Sequence, residues 1–225
     1  MMIVAIGFGF AGAVLGTLFH TIVTMMKRVA WSRKEISWQR RVFVKTTIGL
    51  IVGLMSSYFP QTLFWGEGSL QCMIDGQKTS FAATKHGLDA VLTSSANVNP
   101  SLPFGSASAA AQVGVVKLLS IALACAGKFP GGIIFPLFFA AAPLAHAAVS
   151  WLGMDPTLTS AAVVCLMAST QASVTRTPLA TAFILSLTTS ADSPLSVLLP
   201  PCLVSSYLGV FFARRLSNKS YFHYS

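Results

Sequence analysis

Two adjacent glycines, Gly131 and Gly132, lie between Pro130 and Pro136 and separate two long apolar runs, in the stretch Gly127-Lys-Phe-Pro-Gly-Gly-Ile-Ile-Phe-Pro136. Irregular backbone between apolar segments is tolerated at membrane depth only where protein buries it or where it lines a polar cavity. The run that follows, Ile133 to Trp151, reads as a helix. A helix starting there aims unpaired N–H groups and the positive end of its dipole into the membrane interior. That end attracts an anion without placing a full charge beside it. The turn therefore points to anion movement through a bilayer.

Composition supports the bilayer independently. Only 9% of the 225 residues are charged and 54% are hydrophobic, whereas a soluble domain carries about 25% charged residues. The apolar run from Met1 to Met26 has no basic segment ahead of it, so it reads as a span rather than a cleaved leader. Its abrupt start suggests a chain that begins partway through a larger protein. The net charge of +9 is unevenly placed. Lys27, Arg28, Arg33, Lys34, Arg40, Arg41 and Lys45 fall between the first two apolar runs, and Arg214, Arg215 and Lys219 follow the last. Short basic flanks of this kind mark the cytoplasmic side and attract lipid headgroups. They do not indicate nucleic-acid binding. Cys72, Cys125, Cys165 and Cys202 form no C-x-x-C pair, and imply neither a disulfide framework nor a metal site.

Along the chain, the first span is expected from Ile3 to Met26. Its Gly7-Phe-Gly-Phe-Ala-Gly12 matches the dinucleotide fingerprint by letter, but it lacks the acidic residue about 20 positions later that the fingerprint needs. Gly12 and Gly16 instead form a small face for close helix packing, as do Gly49 and Gly53 in a second span, Val42 to Phe59. Gln61 to Pro103 is polar; Glu67 within it is a loop acid or a proton carrier. A third span, Ala109 to Ala126, contains Lys117, which either faces a partner helix or, the reading favoured, snorkels to the interface. After the glycine turn, Pro143 should kink the fourth run. A helix over Thr157 to Thr170 is followed by a polar break at Gln171 to Pro178. Leu179 to Thr189 is too short to span, and Pro200-Pro201 should break a last span from Leu195 to Ala213. The fold class is thus all-α: a polytopic membrane protein with broken and half-spanning helices, the pattern of transporters and channels.

With these residues in view, the chain resembles the C-terminal half of the membrane domain of the CLC family of chloride channels and chloride/proton exchangers. Lys128-Phe-Pro-Gly-Gly-Ile-Ile-Phe-Pro136 is similar to that family's K-x-P-x-G-x-F-x-P filter motif. Arg176-Thr-Pro-Leu179 is similar to its R-x-P-L, Leu199-Pro200 to its penultimate helix, and Gly66-Glu-Gly68 to a glycine-rich turn. The resemblance implies the second half of an inverted-repeat fold, spanning residues 1–225 as one partial transmembrane domain. It also implies an anion held at Gly131, Gly132, Ile133 and Ile134, chiefly by the N–H groups of the two isoleucines. A tyrosine hydroxyl completes the family's site; Tyr221 is the first candidate here and Tyr224 the second. Lys128 either concentrates anions in a vestibule or simply faces the cytoplasm.

The departures are specific. Ile134 replaces the usual phenylalanine, Leu137 follows Pro136, and Leu187 stands where a glutamate is common. The earlier motifs G-S-G-I-P and G-K-x-G-P do not occur in these residues. Chloride is the implied ligand, with no cofactor. The lipid bilayer is a partner, and the family's dimers imply a homodimer or pairing with a full-length relative. Two other readings stand beside anion transport of the chloride type. One is a truncated, non-conducting subunit that assembles with full-length relatives through its glycine faces. The other is a transporter of nitrate or fluoride. His20, His86, His146 and His223 accompany no nucleophile or metal spacing, so the chain does not read as an enzyme.

Overall fold

The computed structural model describes residues 1–31, 37–59, 62, 106–188 and 195–217. Among them the regular elements are all helical: α1 (Met2–Ala30), α2 (Trp38–Tyr58), α3 (Ala107–Ala126), α4 (Ile134–Trp151), a 3-10 turn (Pro156–Leu158), α5 (Thr159–Thr175), α6 (Pro178–Thr188) and α7 (Leu195–Leu216). Among the described residues five stretches are long and apolar enough to cross a bilayer: α1, α3, α4, the turn with α5, and Val197–Leu216 of α7. The protein is an all-α, multi-pass integral membrane protein. Helix α2 forms where a second span is expected, but it is not among those five. Its first half carries Arg40, Arg41 and Lys45. Helix α6 is short and apolar, as a half-helix should be.

Helix α5 is the centre of the bundle. Every residue from Ala161 to Thr175 is buried, against α1, α4, α6 and α7. The polar break expected from Gln171 therefore does not occur; the helix runs on to Thr175. The hydroxyls that suggested a loop are satisfied by carbonyls of the preceding turn. Thr175 Oγ1 donates to Gln171 O at 2.9 Å and Ser173 Oγ to Thr170 O at 2.7 Å. Pro200 and Pro201 likewise leave α7 continuous. They fall in its second turn, beyond the first four N–H groups that lack a helical partner, so each removes a ladder bond without ending the helix. Pro143 also lies inside α4 without ending it.

The small face on α1 is used within the chain. A Cβ at Gly12 or Gly16 would overlap the hydroxyls of Ser169 and Ser173 on α5. Ser169 Oγ donates across the contact to Phe8 O at 2.8 Å, and Ser173 Oγ to Gly12 O at 3.3 Å. Gly12 and Gly16 are thus not available for pairing with another chain. Among the described residues Gly49 and Gly53 remain uncrowded: the nearest side-chain atom to a Cβ at Gly49 is Phe129 at 3.9 Å, and Gly53 meets nothing within 4 Å.

Arg176 ends α5 in the left-handed conformation, at φ 62°. Its guanidinium reaches the last turn of α7, donating to Val210 O (3.2 Å), Ala213 O (3.3 Å) and Ser217 O (2.8 Å). A planar fork can serve several terminal carbonyls at once, whereas a lysine ammonium is a single point. Arg176→Lys is therefore expected to cost about 1–2 kcal/mol, read as earlier chemical unfolding in detergent. An unchanged midpoint would show that the fork does not cap α7.

Candidate functional site

Helix α3 closes with a Schellman motif. Gly127 N–H donates to Leu123 O (2.8 Å), Lys128 N–H to Cys125 O (3.3 Å) and Phe129 N–H to Ala124 O (3.1 Å). Lys128 takes the left-handed position, φ 55°, that glycine usually fills. The ring of Phe129 folds back over Gly127, where a Cβ would meet it at 2.8 Å. From α1, Trp31 Nε1 donates to Ala126 O at 2.7 Å and pins the same helix end.

Gly131 and Gly132 follow in open, exposed backbone. Neither has positive φ, and among the described residues a Cβ at either meets nothing within 4 Å. Turn geometry and packing do not explain two glycines here. What glycine provides at such a place is close approach to the backbone. Ile133 is the N-cap of α4 and offers no side-chain cap. The first ladder bond is Leu137 N–H to Ile133 O at 3.0 Å. The N–H of Ile134 thus has no intrahelical acceptor, and Pro136 has no N–H to compete.

These residues border a cavity of about 300 Å³ between α2, α3 and the turn. Gly131, Gly132 and Ile133 line it, together with Ser56, Thr62, Lys117 and Ser120. Ile134, the fourth expected residue, opens α4 and is 37% exposed, but does not line the cavity. Tyr221, Tyr224 and Glu67 lie outside the described residues.

Lys117 corrects an expectation. It does not snorkel: the residue is 5% exposed and its Nζ donates to Thr62 O at 2.6 Å, with the Phe139 ring 5.6 Å away. The bond ties the end of α2 to the middle of α3 and keeps the cation facing the cavity. The signal in the sequence was a lone lysine in an apolar run leading straight into the glycine turn. An ionisable residue inside a span marks an ion or substrate path by default. Lys128, by contrast, turns away from this cavity. Its Nζ stands 5.1 Å from the centre of the Trp31 ring, beside a second cavity.

Among the described residues no three His, Cys, Asp or Glu side chains come close enough to hold a metal. Cys165 and Cys202 are buried packing residues. The cavity offers backbone N–H groups and a buried cation, a donor set suited to a small anion, while the Thr62 and Ser120 hydroxyls donate to Phe59 O and Val116 O.

Residues 1–214 match the family model described as Voltage gated chloride channel. No curated protein and no solved structure matches the chain. Membership of that family implies transport of chloride or another anion across a membrane, the work of a channel or transporter. The match covers nearly the whole chain, and the chain belongs to the voltage-gated chloride channel family.

Proposed function

We propose that these residues form one half of a chloride-type anion pathway, in which the turn at Gly131 and Gly132 receives the ion. The single observation that carries this reading is the shared cavity: a buried lysine and the glycine turn both line it. Lys117 draws the anion in, and the N–H groups of Ile133 and Ile134 hold it at the start of α4. Backbone dipoles bind firmly enough to admit an ion and loosely enough to release it. Tyr221 supplies the hydroxyl that completes the site, and residues 1–225 work as one partial membrane domain. Assembly is a homodimer or a pair with a full-length relative. Because Gly12 and Gly16 are spent inside the bundle, such pairing uses other faces.

The test is chloride efflux from proteoliposomes holding the complete protein, followed with a chloride electrode. Chloride efflux that nitrate or fluoride suppresses only in large excess supports the assignment. Faster movement of nitrate or fluoride than chloride would reassign the ion, and no flux of any anion would overturn the pathway.

A further inference from the structure

A second cavity, of about 330 Å³, opens at the far end of α1. Its lining carries Lys27 and Arg28 from the last turn of α1, Lys128 from the start of the filter turn, His20 and Trp31. Among the described residues no Asp or Glu lines it. Three cationic side chains from two separate segments line one concave space, and a cleft lined by one sign of charge concentrates the opposite ion. The volume lies at the lower end of the ~300–1,000 Å³ range of small-ligand pockets, far more than a halide needs. Trp31 commits its N–H to Ala126 O, so it contributes a ring wall rather than a donor. Lysine and arginine donors around one space match an anion with several acceptor oxygens. The position, at the end of a spanning helix beside a tryptophan, is that of a membrane interface. Basic pockets between helices at that level bind phosphate headgroups.

We infer that this pocket binds a phosphate-bearing anion, either the phosphate of an anionic lipid headgroup or free phosphate, held by Lys27, Arg28 and Lys128 against Trp31. The inference is independent of whether chloride passes the glycine turn.

The test uses purified complete protein in uncharged detergent and short-chain phosphatidic acid as the probe, with binding read by native mass spectrometry. Wild type should bind it, and Lys27→Gln with Arg28→Gln should weaken binding about tenfold or more. Arg214→Gln with Arg215→Gln removes equal charge from the end of α7 and should leave binding within twofold. Competition by millimolar inorganic phosphate identifies a free-phosphate site; insensitivity to it identifies a lipid headgroup site. Equal loss in the two double variants, or no binding by wild type, overturns the inference. Should the Lys27/Arg28 variant fail to fold, a photoactivatable phosphatidic acid on wild-type protein decides instead. Crosslinks on the peptide from His20 to Trp31 support the pocket, and crosslinks confined to other segments refute it.

Discussion

Lys117→Met is expected to lower chloride flux in proteoliposomes about tenfold or more, with Lys117→Arg restoring most of it. The methionine keeps the length and apolar stem but removes the cation that faces the Gly131–Ile133 turn. A cleft lined by one sign of charge within low-dielectric walls focuses the field and raises local counter-ion concentration by about 10–10³-fold. The deficit should therefore be largest at low chloride and shrink as chloride rises toward saturation. A purely structural role, through the bond to Thr62 O, predicts something else: equal loss at every chloride concentration, with lower protein stability. Flux by Lys117→Met equal to wild type would remove this residue from the pathway.

Gly12→Leu is expected to prevent stable folding. Its Cβ would overlap the Ser169 hydroxyl and lie 2.7 Å from the Thr170 backbone nitrogen. The second of these contacts is with backbone inside a fully buried helix, which cannot rotate aside. Overpacking typically costs about 1–3 kcal/mol; a clash between helix backbones belongs at or above the upper end. It also separates Ser169 and Ser173 from the carbonyls of Phe8 and Gly12. Gly53→Leu is the matched control, because no described residue lies within 4 Å of its Cβ. Size-exclusion profiles after heating in detergent should show aggregated Gly12→Leu and near wild-type Gly53→Leu. Equal behaviour of the two would mean that the α1–α5 contact does not hold the bundle together.

The parts that were legible in the sequence are those set by local chemistry. Apolar length located α1, α3, α4 and the short α6, and the Gly-Pro turn located the start of α4 to within one residue. The paired glycines of α1 announced a close helix contact, although only the structure identifies Ser169 and Ser173 as its partners. What stayed hidden depends on distant neighbours. Whether Lys117 snorkels or turns inward is decided by Thr62, fifty-five positions earlier. Gln171 to Thr175 looked like a loop because serine and threonine compete for backbone partners. Buried beside α1 and α7, they bond carbonyls of their own helix and its neighbour instead. Pro200-Pro201 looked like a break because two adjacent prolines remove two ladder bonds, yet α7 runs through them. Lys128 took a glycine's place in a Schellman motif, a substitution that only the φ angle exposes.

The glycine pair itself provides the most direct test of the pathway. In the double variant Gly131→Ala with Gly132→Ala, neither Cβ meets a described neighbour and neither backbone is left-handed, so thermal stability should match wild type or rise slightly. Chloride efflux from proteoliposomes should nevertheless fall about tenfold or more, because two methyl groups now occupy the space through which the ion approaches the N–H groups of Ile133 and Ile134. Stable protein with reduced flux is the predicted result. Stable protein with wild-type flux would contradict the assignment of this turn as the anion site.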